Sequence, residues 1–211
     1  EQARPGRNIR LRQVRELQHS ASLPPFEGRT KVLVIESADR MTQEASNSIL
    51  KSLEEPPANV VWLLLANDES RLLETIMSRC QRVDVHPAPA PELARYLSES
   101  RGVDPDHATF VARLSRGRTG WAISAVSEDA VLASRASRVE TIIQLVYMTM
   151  TARFDLAREL ESQYRREPRG VLETLDLWMI WWRDLMVIKS GCSDGIVNVD
   201  YVNDLNEQAG R

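Results

Sequence analysis

The chain is organised around one stretch, Ser46-Asn47-Ser48-Ile49-Leu50-Lys51-Ser52-Leu53-Glu54-Glu55-Pro56-Pro57. Its apolar residues and one just before it recur at helical spacing, at positions Ala45, Ile49, Leu50 and Leu53. This spacing predicts a helix with one buried side. Thr42 is suited to cap the start of the helix, and Pro56 ends it, because proline disfavours helical geometry at the preceding residue.

Two apolar runs lie on either side of this helix, Lys31–Ile35 and Val60–Ala66. Continuous apolar runs of this length, bounded by turns, are typical of parallel strands covered on both faces. A short helix is predicted around residues 71–76 and a third strand over Arg82–Val85. The order strand, helix, strand predicts an α/β domain with a parallel sheet.

The remainder of the chain is predicted to be helical. It follows a group of prolines that indicates a domain hinge, namely Pro87, Pro89 and Pro91. Helices are predicted over 91–101 and 104–115, from about Trp121, and from about 131 to 190 with a break near Glu167–Gly170. The last of them contains four residues at core spacing, Trp178, Trp181, Trp182 and Leu185, and is apolar on other faces as well. Such a helix fits a surface that holds an oligomer together, and equally the core of a monomeric bundle.

The composition is that of an ordinary globular protein, with 211 residues, 43% hydrophobic and 27% charged residues, and a net charge of -3. This charge argues against nucleic-acid binding over the whole surface. The two cysteines, Cys80 and Cys192, are too few for a disulfide framework or a four-cysteine zinc site, and no metal site is predicted. The sequence contains no signal peptide or membrane span, so a cytoplasmic location is expected. The chain begins with Glu1, and we expect it to be a fragment of a longer protein.

A phosphate-binding loop requires Gly-Lys-Ser/Thr, and none of the nine glycines is followed by lysine. We therefore expect this sequence to hold no nucleotide cofactor by itself. The first predicted strand ends in Glu36-Ser37. Glu36 is in a position to approach a metal ion, whereas Ser37 is a poor activator of water. The alternative interpretation is that both are polar residues at a strand end.

Lys31–Met41, Asn47–Pro57 and Leu63–Gln81 together resemble the clamp-loader branch of the AAA+ ATPases. Two motifs carry the resemblance, Asn-x-x-Leu-Lys-x-Leu-Glu-Glu-Pro-Pro from Asn47 and Ser78-Arg79-Cys80. The resemblance is strong over residues 31–85 and weakens towards the C-terminus. It implies a mixed fold, with the C-terminal part of an AAA+ α/β domain at 1–88, a small helical lid at 89–130 and a helical collar for oligomerisation at 131–211.

The resemblance also implies roles for single residues. Arg79 matches an arginine finger that acts in trans on the ATP site of a neighbouring subunit, although a surface arginine in a salt bridge is the alternative. Asn67 matches a sensor of the γ-phosphate, or is simply a turn residue. Glu36 matches the acidic strand end that approaches Mg²⁺. Ser37 replaces the catalytic glutamate and Trp121 replaces a sensor arginine of active members, and both changes imply a subunit that does not hydrolyse ATP.

The implied function is assembly rather than catalysis. The chain would brace a hetero-oligomeric loader that places a sliding clamp on primed DNA in replication, with ATP and Mg²⁺ bound by the neighbouring subunit. Its partners would be gamma/tau and delta subunits, with the clamp and DNA reached through the complex and no membrane involved. One alternative is an ATP-hydrolysing gamma/tau-type motor subunit. Another is a DNA-binding adaptor that acts through a basic cluster. The cluster comprises Arg10, Arg12 and Arg15, with Arg4 and Arg7 before them. A solvated helix face would explain the same residues.

Overall fold

The structure of the chain is a computed structural model that describes residues 8–25, 28–192 and 195–210. The chain divides into two compact units, Glu1–Asp84 and Val85–Arg211. The described strands lie in the first unit as a parallel pair, and the second unit is built from helices, so the predicted mixed class is confirmed. The finer division at residues 1–88, 89–130 and 131–211 stays a prediction.

The first unit alternates helices and strands. Its elements are α1 (Leu11–Ser22), β1 (Lys31–Ile35), α2 (Gln43–Glu54), β2 (Val60–Leu64) and α3 (Glu74–Met77). β1 and β2 are parallel, with Lys31 opposite Val60 and Ile35 opposite Leu64. The Thr42 side chain caps α2 by accepting a hydrogen bond from the Ala45 N–H at 3.3 Å, as the sequence predicts.

The two faces of the β1–β2 sheet differ in exposure. One face packs on α1, α2 and α3 in an apolar core that includes Ile35, Val14, Ile49 and Ile76. The opposite face, here called the apolar sheet face, consists of Val32, Val34, Val61 and Leu63, which are 44–53% exposed. The prediction that both faces are covered is therefore wrong for the described part of the first unit, where helices pack on one face alone.

The predicted strand over Arg82–Val85 is wrong. Val83 and Val85 are 75% and 88% exposed, and the segment has no regular structure. Arg82 instead pairs with Asp84 at 2.9 Å and with Glu69 at 2.6 Å. A strand needs a neighbour for its backbone hydrogen bonds, and apolar alternation alone does not supply one.

The second unit is a series of helices, which are α4 (Ala90–Arg101), α5 (Pro105–Ser115), α6 (Thr119–Ser127), α7 (Asp129–Leu145), α8 (Met150–Arg166), α9 (Pro168–Lys189) and α10 (Val202–Ala209). The predicted break near Glu167 is confirmed between α8 and α9. Gly117 has a φ of 78° in the turn before α6, and its carbonyl accepts a hydrogen bond from the Ala88 N–H at 3.1 Å. A Cβ at this glycine would lie 2.6 Å from the Ala88 carbonyl oxygen, so only glycine fits here.

Two apolar clusters stabilise the described part of this unit. The first joins α4, α5 and α6 around Leu97, Val111 and Ala122. The second joins α7, α9 and α10 around Ile142, Trp181 and Leu205. No helix in the described part of the chain is both long enough and apolar enough to cross a membrane.

Candidate functional site

Arg79 lies directly after α3 and is held by the end of α2. Its Nε donates a hydrogen bond to Glu54 Oε1 at 2.7 Å, and Nη2 forms an ion pair with the same oxygen. Its Nη1 donates to the Thr75 carbonyl oxygen at 2.8 Å and to Ser78 Oγ at 3.2 Å. The Arg79 side chain is 31% exposed, so solvent and a partner still have access to it.

This contact joins the two motifs that carry the resemblance. Glu54 belongs to the Leu-Glu-Glu-Pro-Pro motif at the end of α2, and Arg79 belongs to the Ser-Arg-Cys motif after α3. Ile76 of α3 is buried in the first core and fixes α3 against α2. The structure thus contains the salt bridge that the alternative interpretation expected, and it identifies the partner.

Glu36 and Asn67 lie at a different edge of the first unit. Both are exposed and follow the carboxyl ends of β1 and β2, which meet at one edge because the strands are parallel. α2 connects these parallel strands and therefore runs back from that edge towards the amino ends of the strands. Its last residue, Glu54, lies at that far end and Arg79 lies with it. Glu36 and Asn67 thus follow strand ends at the same edge, whereas the described contacts of Arg79 are with Glu54, Thr75 and Ser78.

The chain turns sharply after Glu36. Ser37 has a φ of 57°, an uncommon conformation for a residue other than glycine, asparagine or aspartate. The next residue, Ala38, is buried and its N–H donates to the Leu65 carbonyl oxygen at 2.7 Å. This turn fixes the edge that holds Glu36. In the described residues no group of histidine, cysteine, aspartate and glutamate is arranged to hold a metal ion.

Trp121, which the resemblance matches to a sensor arginine position, packs against the apolar cluster of α4, α5 and α6. The neighbouring Arg118 lies over the Trp121 ring, with 5.9 Å between its guanidinium carbon and the ring centroid. Arg118 also donates from Nε to the Ser115 carbonyl oxygen at 3.1 Å. Trp121 is therefore part of the packing of the second unit.

Of the N-terminal arginines, the structure describes Arg10, Arg12 and Arg15. Arg12 and Arg15 are exposed on the same side of α1, together with Glu16 and His19. Arg12 Nε binds Glu16 Oε1 at 2.8 Å, which offsets part of the positive charge. Arg10 is the N-cap residue of α1, and its backbone N–H donates to Gln13 Oε1 at 3.1 Å. Arg4 and Arg7 lie outside the described residues.

α9 presents an exposed apolar stripe, which we call the α9 stripe and which consists of Leu172, Leu175, Met179, Trp182 and Met186. These residues are alternately three and four apart, the spacing of a helix seam that packs on another helix. The prediction that Trp182 belongs to the core is wrong, since it is 49% exposed. Trp181 is fully buried, because adjacent helical residues point about 100° apart.

A buried polar network joins α7 and α9 to the segment before α10, and no sequence pattern predicted it. Asp184 is fully buried, and its Oδ2 accepts hydrogen bonds from the backbone of Val197 and Asn198 and from Asn198 Nδ2, at 2.8–3.0 Å. Asn198 Oδ1 in turn accepts from Arg135 Nη2 at 2.6 Å, and Arg135 pairs with Asp200. Every member contacts another, so the network has a structural function.

In comparisons with protein families and with known proteins, the sequence is similar to subunits of DNA polymerase III. The family described as "DNA polymerase III, delta subunit" matches residues 2–89. The chain is 28% identical to DNA polymerase III subunit delta' of Bacillus subtilis over 97% of its length, and 33% identical to the Escherichia coli protein of that name over 55%. It is also 30% identical to DNA polymerase III subunit tau of Salmonella typhimurium over 63% of its length.

The chain spans part of each relative, with 61% of the Bacillus protein, 35% of the Escherichia protein and 21% of the Salmonella protein covered. The match to the Bacillus protein extends through both compact units of this chain. Residues 2–89 therefore match the family described as DNA polymerase III, delta subunit, and the chain is similar to DNA polymerase III delta' subunits.

Proposed function

We propose that the chain is part of a non-catalytic clamp-loader subunit that presents Arg79 to the ATP site of a neighbouring subunit. The assembled loader would place a sliding clamp on primed DNA, with gamma/tau and delta subunits as partners, in the cytoplasm. ATP and Mg²⁺ would be bound by the neighbour. Similarity to delta' and tau subunits of DNA polymerase III supports the clamp-loader role.

The observation that carries the proposal is the position of Arg79. The guanidinium is partly exposed, and its described hydrogen bonds and ion pair are with Glu54, Thr75 and Ser78. None of these contacts is with Glu36 or Asn67, the residues of its own unit that match nucleotide-site positions. Arg79 is suited to a phosphate held by another subunit, where a planar and permanently charged group stabilises the charge that develops on the γ-phosphate.

Assembly would use the second unit. The α9 stripe exposes five apolar side chains in a row, and a contiguous exposed apolar surface is typical of a protein interface. Its spacing favours a helix of a neighbouring subunit as the contact, since alternate steps of three and four residues keep a seam in register with another helix. The collar assignment for residues 131–211 rests on this stripe.

The test is to replace Arg79 by alanine in the full-length protein and to measure ATP turnover after reconstitution with its partner subunits. Fingers supplied in trans are worth on the order of 10³ in rate, so turnover at the site that Arg79 serves should fall by about that factor. The total ATP turnover of the complex should then fall by the fraction that this site contributes to it.

Arg82→Ala is the matched control, because Arg82 lies three residues after Arg79 and forms its salt bridges with Glu69 and Asp84. It should leave turnover unchanged. Equal turnover of the Arg79→Ala and wild-type complexes, with both folded, would refute the finger role.

A motor subunit of the tau type is the second candidate, favoured by the similarity to subunit tau. Ser37 and Trp121 argue against it, since neither side chain supplies the base or the positive charge that ATP hydrolysis uses. The full-length protein assayed alone separates the two candidates. Turnover without partners would favour the motor, and turnover that appears only in the mixture would favour the proposal.

A further inference from the structure

The hydrogen bonds and the ion pair of Arg79 engage at least one donor on each edge of its guanidinium. An arginine has five N–H donors, one on Nε and two on each Nη. In the described conformation Nε and Nη2 contact Glu54, while Nη1 contacts the Thr75 carbonyl oxygen and Ser78 Oγ. Two parallel N–H groups on one edge are needed to bind a phosphate in the bidentate way. Both such edges are at least partly occupied by groups of the same unit.

The position of Glu54 is not explained by the stability of α2. It lies in the last turn of the helix, where the helix dipole disfavours a negative charge. Glu55 follows at once and is exposed, and in the described part of the chain no hydrogen bond or ion pair of its side chain is found. Glu54 and Glu55 therefore both lie at the end of α2, where a negative charge is unfavourable. They differ in that Glu54 contacts Arg79.

The contact is strong enough to order Arg79 and weak enough to be exchanged. The two side chains are 31% and 47% exposed, so water screens their attraction. Pairs of this kind favour the bound arrangement by a factor of about two to five. A nucleotide phosphate carries more charge than one carboxylate and offers several oxygens to the same fork of donors. Glu54 would therefore yield to a phosphate brought within reach.

We infer that Glu54 is a positioning residue for Arg79, which it holds folded back on its own subunit until a phosphate of the neighbour's nucleotide replaces the carboxylate. The inference rests on the proposed function of Arg79. The exchange makes and breaks hydrogen bonds and ion pairs alone, and both groups keep their charge. Loss of the Glu54 charge frees the guanidinium and favours its contact with the phosphate.

The test is Glu54→Gln in the full-length protein, reconstituted with its partner subunits and assayed for ATP turnover. The amide keeps the size of the side chain and removes its charge. We expect turnover to rise by about two- to fivefold, the factor by which the ion pair favours the folded-back arrangement. Glu55→Gln removes the same charge one residue further along and should leave turnover unchanged.

A double variant distinguishes this role from a general effect on folding. If Glu54 acts through Arg79, Glu54→Gln should have no effect on turnover when Arg79 is already alanine. Turnover that stays at the wild-type level or falls in Glu54→Gln would overturn the inference and leave the finger role standing. A lack of effect of Arg79→Ala alone would instead refute the proposed function itself.

Discussion

Asp184→Asn should destabilise the second unit strongly, although it changes a single atom. Asp184 is fully buried on α9, and its Oδ2 accepts three hydrogen bonds, from the backbone N–H groups of Val197 and Asn198 and from the Asn198 side chain. Its Oδ1 accepts from Arg183 Nη1 at 3.0 Å. An asparagine can present its one oxygen to either set of donors, and its NH₂ group then faces the other set.

The expected cost follows from these contacts. A hydrogen bond to a charged group contributes about 1.5–3 kcal/mol, and the substitution removes the charge and leaves one set of donors facing an NH₂ group. Because the amide oxygen retains one set of partners, we expect the free energy of unfolding to fall by about 3 kcal/mol. For a chain of this size that corresponds to a decrease in Tm of roughly 6–12 °C.

Urea unfolding followed by tryptophan fluorescence would measure this change, since Trp178, Trp181 and Trp182 lie on the same helix. Asp176→Asn is the matched control on α9. Asp176 pairs with Arg116 at 3.3 Å on the surface, where such a pair is worth about 0–1 kcal/mol. Equal effects of the two substitutions, or a change below about 0.5 kcal/mol for Asp184→Asn, would refute the structural role of the buried network.

Two further predictions concern single positions. Gly117→Ala should lower the free energy of unfolding by about 2 kcal/mol or more, from the positive φ and the clash with the Ala88 carbonyl, as measured by the urea midpoint. Gly102→Ala shares the positive φ but meets nothing within 4 Å, so its smaller effect is the control, and equal losses would contradict the clash. Burial raises the pKa of the Cys80 thiol, so a smaller fraction of it is thiolate at pH 8 than of an ordinary thiol. Iodoacetamide should therefore modify exposed Cys192 before Cys80, and the rate of Cys80 modification should rise with pH. The rates are measured in two variants that retain one cysteine each. Equal rates at pH 8 would contradict the prediction.

Local sequence signals were sufficient for the elements whose causes are local. Thr42 and Pro56 set the limits of α2, the apolar runs predicted β1 and β2, and the break near Glu167 separated α8 from α9. The same signals failed for Arg82–Val85, because strand formation depends on a neighbour that local patterns do not show.

The site was predictable in part. The motif identified Arg79, but Glu54 is 25 residues away, and sequence spacing does not reveal which surface acid a given arginine contacts. Trp181 and Trp182 illustrate a similar limit. Both fit the apolar pattern of α9, and their burial was decided by where α7 and α10 pack. The buried network of Asp184 and Asn198 depends on a contact between a helix and a later segment, for which the composition of either gives no indication.

The apolar sheet face has a consequence for solubility and for the stability of the first unit. Full burial of a valine or leucine side chain contributes about 1.5–3 kcal/mol, and the four side chains of this face are already about half covered. Covering the rest would add roughly 3–6 kcal/mol, a large part of the 5–15 kcal/mol by which a typical protein is stable. Aggregation driven by this face would become stronger with sulfate and with moderate warming, since both favour the burial of apolar surface. The solution conditions that keep the chain dispersed are therefore low concentrations of such salts and low temperature.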